Sequence, residues 1–295
     1  MSLISNVLNP IVWFKAYKYH KAQKQYDKSK YDLELFLYAN ILRNDMLHYG
    51  YFENIDINPD DISIKQFEDA QILYANNIIQ QIKNNDGTVL DVGCGMGGLS
   101  ALMLQKNMTV EALTPNLNQV EYIRKKHPKL KVYHTKFEDF VADKKYKTII
   151  NSESLQYIKL HDAFRNVEKD LAEGGRWIIA DYFRKAEIAT NKSGHVLDKF
   201  LAQAAENGWR VVYEQDISLN ILPTIKYVNM YAQRFLLPVK HFAFEKLRFK
   251  KPWLYYMTSE QQQKVNSKIS KELQTINPDI FLNEKKYVLL VLERE

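Results

Sequence analysis

Cysteine is nearly absent, with Cys94 the only one in 295 residues. No intramolecular disulfide can form and no thiolate cluster is available for zinc, so a reducing compartment is expected and no metal site is. Long apolar runs are missing too, and no stretch reaches the uninterrupted length that a membrane-spanning helix needs. The first fourteen residues are apolar, but they carry no charged leader, include Pro10 and have their lysines on the far side, the reverse of a secretory signal. The expectation is a cytoplasmic protein, for which the Asn107 and Asn191 sequons mean little. Internal repeats and low-complexity tracts are lacking. At this length the chain can bury a full core as one large domain, or as one domain with a cap.

A chain-wide excess of positive charge is also lacking. The formal net charge is +6, yet residues 1–30 hold six lysines against Asp27, a balance of +5. Residues 240–251 hold Lys240, Lys246, Arg248, Lys250 and Lys251 against Glu245, a balance of +4, which leaves −3 elsewhere. The basicity therefore belongs to two local surfaces, and a nucleic-acid binder is not expected. Lys15, Lys18, Lys21, Lys24 and Lys28 recur at spacings of three and four, along one side of a helix expected over 11–30, with Trp13, Phe14, Tyr17 and Tyr26 interleaved. Such a face suits an anionic membrane surface, an acidic carrier protein, or plain solvent.

Glycine is scarce, ten residues in all, and four of the ten fall within six positions. In Thr88-Val-Leu-Asp-Val-Gly-Cys-Gly-Met-Gly-Gly-Leu-Ser100 a short apolar strand runs into Gly93, Gly95, Gly97 and Gly98 and then into a helical run. Residues without Cβ let the turn take positive φ and bring backbone amides to the mouth of the next helix, where nucleotides bind. Gly93, Gly95 and Gly98 also satisfy G-x-G-x-x-G, but that dinucleotide fingerprint expects an acid at the end of the second strand, and Thr109-Val-Glu-Ala-Leu-Thr114 ends on a hydroxyl. No G-K-[ST] follows, which excludes a phosphate-cradling P-loop. Cys94, between two glycines, reads as a small packed residue.

Around this loop the pattern alternates. A helical run over 31–46 leads into the aromatic loop Leu47-His-Tyr-Gly-Tyr-Phe52, and Ser63-x-x-Gln66 reads as a capping box opening a helix to about residue 83. Helices are expected at 99–106, 116–126, 161–171 and 196–206, and strands at 108–114, 130–134, 146–151, 176–182 and 208–213. Strands separated by helices give an α/β fold with a doubly wound, mostly parallel sheet. Residues 217–284 break the alternation, being long, aromatic and helical in pattern, and 286–294 close the chain as a strong last strand. An excursion of that length is a cap rather than a loop. The expected divisions are 1–62 as helical cap and aromatic loop, 63–216 as core, 217–284 as cap insertion, and 285–295 as the seventh and last core strand.

Asp91 stands two residues before the first glycine, and the resulting D-x-G-x-G-x-G resembles the first motif of class I S-adenosylmethionine (SAM) methyltransferases. The resemblance covers residues 47–216 and the last strand. It is nearest to the group holding cyclopropane-fatty-acid and mycolic-acid synthases and related small-molecule methyltransferases. It implies SAM as cofactor and a Rossmann-like sheet. Leu113-Thr-Pro-Asn-Leu-Asn-Gln119 is similar to the group's segment after strand two, which implies that Thr114 and Gln119, beside Pro115, hold the ribose; Asn116 with Gln119 is equally a helix cap. Phe137-Glu138 stands where the group places an aromatic-acid pair beside the adenine, although a lone Glu138 is also a common helix-start acid. With Tyr49, Asp91, Gly93, Cys94, Gly95 and Asn151 these residues make up the implied cofactor site. The segment after strand four implies that Glu153, Gln156 and Tyr157 face the acceptor, joined by Tyr51, Asp181 and Tyr182. His48, Glu153 and Tyr157 are the candidate bases, needed only if the acceptor starts protonated.

Cyclopropane synthases carry a Cys in the aromatic loop and a Glu-His pair after strand four, where this chain has Tyr49 and Gln156-Tyr157. The departure favours plain methyl transfer to a small, apolar or amphipathic acceptor. A lipid-modifying enzyme at a membrane surface and a non-catalytic binding module are the alternatives.

Overall fold

The computed structural model describes residues 9–23, 38–39, 44–83, 87–187 and 193–294. Seven strands form one sheet: β1 (Thr88–Val92), β2 (Thr109–Thr114), β3 (Lys131–His134), β4 (Tyr146–Ser152), β5 (Leu171–Arg184), β6 (Trp209–Asp216) and β7 (Lys285–Arg294). Their order is β3-β2-β1-β4-β5-β7-β6, with β1 to β5 paired in parallel and β7 antiparallel to both β5 and β6.

Side chains on a strand alternate between faces, and the central strands are apolar at consecutive positions because both faces are covered. Val89, Ile150 and Ile178 enter one core with Ile78, Leu99 and Val120. Leu90, Ile149 and Trp177 enter the other with Phe164 and Phe200. The first core is roofed by α2 (Ile64–Ile79), α3 (Gly98–Gln105) and α4 (Leu117–Lys126), the second by α5 (Leu160–Asp170) and α6 (Leu197–Glu206). The Ser63 capping box forms as expected, with Ser63 and Gln66 each accepting from the other's backbone N–H. Right-handed crossovers bring the carboxyl ends of β1 to β5 to one edge. The chain reverses direction across the sheet between β1 and β4, which opens a crevice there.

Residues 217–284 fold as α7 (Ser218–Tyr231), α8 (Leu237–Lys250), α9 (Pro252–Met257), α10 (Ser259–Thr275) and α11 (Pro278–Glu284), with a π-helical stretch after α7. The aromatic loop is sewn to α7: Gly50 N donates to Thr224 Oγ1 at 3.0 Å, Phe52 N donates to the Asn220 carbonyl at 2.9 Å, and Asn220 Nδ2 returns to the Phe52 carbonyl at 2.9 Å. The insertion and the aromatic loop therefore form one roof over the carboxyl edge.

One expectation fails. The helix over 31–46 does not run to Met46: residues 44–46 are irregular, while 31–37 and 40–43 lie outside the described residues. Buried Gln71 draws the chain off any helix there by donating to the carbonyls of Met46 and His48 at 2.7 and 2.6 Å. In the N-terminal helix α1 (Pro10–Gln23), Trp13, Phe14, Tyr17 and Tyr19 are all at least 60% exposed. Its aromatics surround the helix, so the lysines share their side with exposed rings; Lys24, Tyr26 and Lys28 lie outside the described residues.

Candidate active site

The glycine loop turns from β1 into α3 with Gly93, Gly95 and Gly97 at φ of 74°, 56° and 83°. Space is as restrictive as the backbone: a Cβ on Gly93 would stand 2.5 Å from Ser154 Cβ, and one on Gly95 3.1 Å from Leu47 Cδ1. The amides of Gly93 and Cys94 both donate to the Leu113 carbonyl, at 2.9 and 3.1 Å. They tie the loop to β2, so these two are not the amides offered to a ligand. Asp91 is buried and accepts from Ser100 Oγ at 2.5 Å; burial pushes its carboxyl up to about 6 against that bond. Burial, and then Asp91, push the Cys94 thiol well up, which keeps it protonated and unreactive.

A cavity of about 310 Å³ opens beside this loop, lined by Asp91, Gly93, Cys94, Gly95, Thr114, Pro115 and Gln119. Thr114 Oγ1 donates to Gln119 Oε1 at 2.6 Å while Asn116 Oδ1 accepts from the amides of Asn118 and Gln119. The helix cap thus forms, and Thr114 and Gln119, bonded to each other, both line the cavity. Past Gly93, Pro115 and Ser154 lies an adjoining hollow of about 230 Å³ lined by Phe137 and Glu138. Phe137 is 2% exposed and belongs to the core, so only part of its ring faces the hollow, whereas Glu138 is half-buried there.

A third cavity, of about 250 Å³, lies under the roof and is lined by Tyr49, Phe67, Tyr182, Val228, Phe281 and Lys285 among others. It shares a wall with the 310 Å³ cavity, formed by Leu47, His48, Glu153, Gln156 and Tyr157. Glu153 sits at the end of β4 with φ of 51°, a costly conformation for a residue with a Cβ. Its amide donates to the Ala180 carbonyl, and its Oε1 accepts from Tyr49 N–H at 2.9 Å and Tyr287 Oη at 2.8 Å. Tyr287 in turn meets Tyr74 Oη at 2.6 Å, and Tyr74 meets Ser152 at 3.2 Å, so a chain of buried hydroxyls backs this carboxylate. Tyr157, 79% exposed, stands at the opening of all three spaces.

Five sequence-derived placements change. Tyr49 lines the roofed cavity and not the one beside the glycines. Asn151 is fully buried with both ends engaged, Nδ2 donating to Ser154 Oγ and Oδ1 accepting from Trp177 Nε1, so it positions the turn after β4 and faces no ligand. Asp181 is 1% exposed and accepts from the amides of Gln156 at 3.1 Å and Tyr182 at 2.8 Å; burial pushes it up to about 7 against these bonds, and it acts by holding Gln156 in place. Tyr51 packs against the first core and lines none of the three spaces. His48 lines both cavities, but its polar atoms face its own loop: Nδ1–H donates to the Tyr49 carbonyl at 2.8 Å, and Nε2 meets Met46 Sδ at 3.3 Å. Burial outweighs that carbonyl bond and lowers its pKa to about 4, and its ring stacks on Tyr74 at 4.4 Å. It is a packing residue, and Glu153 is the acceptor group left at the shared wall.

The sequence reading missed Asp45, which anchors the loop from the other side by accepting from Tyr122, Lys126 and His127. It also missed Lys285. Neither stands in a motif, and each reaches the site only through tertiary packing.

Residues 89–175 match the family described as a methyltransferase domain. Among curated proteins, an uncharacterized methyltransferase of Staphylococcus carnosus is 24% identical over 126 residues, 42% of this chain and 60% of the relative. (S)-tetrahydroprotoberberine N-methyltransferase of Eschscholzia californica is 32% identical over 121 residues, 39% of this chain and 32% of the relative. The matches thus span less than two thirds of either relative. Among solved structures, geranyl diphosphate C-methyltransferase of Streptomyces coelicolor A3(2), in complex with Mg2+, geranyl diphosphate and S-adenosyl-L-homocysteine, superposes with a TM-score of 0.63 at 16% identity, over 92% of this chain and 100% of that one. The cyclopropane synthase MmaA2 of Mycobacterium tuberculosis gives 0.62 at 14% identity, over 90% and 95%. The sheet order, the glycine loop and the solved structures define a class I methyltransferase fold, and within it residues 89–175 match a methyltransferase domain.

The residues present fit SAM. A Cβ at Gly93 would collide with Ser154 and one at Gly95 would crowd Leu47, the Thr114–Gln119 pair lies along the cavity, and Glu138 places on the adjoining hollow a carboxylate of the kind that accepts from an exocyclic amine.

Proposed function

We propose that the protein transfers a methyl group from SAM to a small, apolar or amphipathic acceptor. The observation that carries this reading is the pair of cavities sharing one wall, one built by the glycine loop and the other by aromatic side chains of the roof. SAM, when bound, supplies a methyl already activated on a sulfonium. The chain's own residues then bind, align and exclude water. Tyr49, Phe67 and Phe281 shape the acceptor cavity, Gln156 is held in place by Asp181, and Tyr157 covers the junction. Glu153, fixed by the Tyr49 amide and the Tyr287 hydroxyl, takes the proton of an acceptor that starts protonated. The small-molecule reading is supported by the sizes of the spaces and by the acceptors named for the (S)-tetrahydroprotoberberine and geranyl diphosphate enzymes above. Its test is the passage of label from SAM into the low-mass fraction of a cell extract.

Glu138 is assigned to the adenine amine. Glu138→Ala is expected to weaken SAM binding by about 1.5 to 3 kcal/mol, the worth of a hydrogen bond to a charged group. Titration calorimetry reads this directly, and an unchanged affinity would make Glu138 a capping acid only.

A second reading, that the acceptor is met at an anionic membrane, is favoured by the outer surface of the insertion. Val239, Phe242, Phe249, Tyr256 and Met257 are each at least 64% exposed, beside Lys240, Lys246, Lys250 and Lys251. Exposed rings among lysines suit an anionic lipid surface. No helix among the described residues is long and apolar enough to cross a membrane, so attachment would be peripheral. Flotation with phosphatidylserine vesicles should show salt-sensitive binding. Replacing Lys246, Lys250 and Lys251 by Gln should weaken it by about 3 kcal/mol, at about 1 per lysine. Absence of flotation at low salt would leave these lysines as a solvated face.

A further inference from the structure

Lys285 opens β7 directly after α11, pairs in register with Arg184, and lines the roofed cavity with only 4% of its surface exposed. Its ammonium makes no ion pair and no hydrogen bond among the described residues; its near neighbour is the face of the Tyr182 ring, 3.9 Å from Nζ to the centroid. Two carboxylates favour its charge without reaching it. Both oxygens of Asp181 are engaged by the amides of Gln156 and Tyr182. Glu284 is the preceding residue, and its buried Oε2 has no partner either. A buried ammonium without an acceptor is costly, and an apolar residue of similar length would fill the same space without that cost. Burial, joined by the charge of Arg184, lowers the pKa of Lys285 to about 8 against Glu284 and Asp181, so it is still mainly charged at neutral pH.

A second unsatisfied atom lies on the same cavity. Gln156 Oε1 is buried with no partner, while its Nε2 is spent weakly on the Glu153 carbonyl at 3.4 Å. The cavity thus presents, in one place, a cation met only by an aromatic face, with no acceptor among the described residues, and an unmatched acceptor at the wall shared with the cofactor cavity. The rest of the lining is aromatic or aliphatic apart from Glu153 and two threonines. Each unmatched atom specifies its complement in the missing ligand.

Resting on the methyltransferase reading, we infer that the acceptor is a carboxylic acid with an apolar body, whose carboxylate is held by Lys285. One ammonium matches one negative charge. A diphosphate would bring more charge than Lys285 can neutralise into a cavity that already contains Glu153. The carboxylate is the handle and not the methylated group, because Lys285 lines the roofed cavity alone whereas the two cavities meet at Glu153, Gln156 and Tyr157. The reacting atom lies at the other end of the acceptor, and Gln156 Oε1 accepts from a donor near it. Specificity follows, since an acceptor lacking the acid leaves the buried ammonium unpaired.

The test uses the full chain saturated with S-adenosylhomocysteine and two probes of one shape, phenylacetate and its uncharged isostere phenylacetamide, titrated by calorimetry. Wild type is expected to bind phenylacetate about tenfold or more tighter than phenylacetamide, the margin of a charge-assisted contact. Lys285→Met should abolish that preference and leave the affinity for S-adenosylhomocysteine unchanged. The wild-type comparison stands even if Lys285→Met does not fold. Equal binding of the two probes, no binding of phenylacetate, or a preference that survives Lys285→Met would each overturn the inference. Failure of S-adenosylhomocysteine itself to bind would instead overturn the methyltransferase reading, and this inference with it.

Discussion

A folded Gly95→Asp variant is expected to show no measurable SAM binding. Gly95 holds φ of 56°, a region that Asp tolerates better than most residues, so the backbone cost is roughly 1 to 2 kcal/mol and the chain still folds. The new side chain is what removes the ligand. Its Cβ would meet Leu47 at 3.1 Å, and its carboxylate would enter a 310 Å³ cavity that already contains Asp91 and must receive the cofactor's own carboxylate. Like charges brought together in a confined site oppose each other strongly. A loss of at least about a hundredfold, or about 2.7 kcal/mol, is expected on these grounds. Calorimetry with S-adenosylhomocysteine, paired with a circular dichroism spectrum to confirm the fold, measures it. Wild-type affinity in the folded variant would remove the glycine loop from the cofactor site.

Glu153 carries the second large effect, and two substitutions separate its two roles. Glu153→Ala strips the acceptor from the Tyr49 amide and the buried Tyr287 hydroxyl, and each unsatisfied group costs about 1 to 3 kcal/mol. The aromatic loop then loses its tie to β4, so a lower Tm and a collapse of turnover are expected together. Glu153→Gln keeps an oxygen at the same place and is expected to retain most of the stability. If Glu153 takes the acceptor's proton, Glu153→Gln still lowers kcat by about 10² to 10⁴ with SAM affinity intact. Denaturant melts and single-turnover rates on both variants distinguish the cases. Full turnover in Glu153→Gln would show that the carboxylate serves only to hold the loop.

The parts of the molecule set by local pattern were legible in the sequence. Val89-Leu90, Ile149-Ile150 and Trp177-Ile178 are apolar pairs because each strand is covered on both faces, and the helices between them follow from the same periodicity. The glycine loop was legible because positive φ recurs at Gly93, Gly95 and Gly97, and a Cβ at Gly93 would collide with Ser154. What failed depends on which way a polar side chain at a strand end points. Asn151 lies one residue from the end of β4 and Asp181 just past the last residue of β5 paired with β4, yet both turn inward, Asn151 to Trp177 and Asp181 to the turn after β4. Sequence alone could not separate them from Glu153, which differs by one positive φ. Lys285 was hidden among the basic residues that precede the last strand, and only the fold over it by α11 and the roof makes it a buried ammonium.

Methyl transfer to a small molecule is measured directly by following the label. The full chain is incubated with SAM labelled in its methyl group and with a cell extract separated into low-mass and macromolecular fractions. The account predicts label in a single low-mass, acidic compound, made by wild type and absent with Gly95→Asp. Label confined to the macromolecular fraction, or no transfer by a wild-type protein that binds SAM, would contradict it.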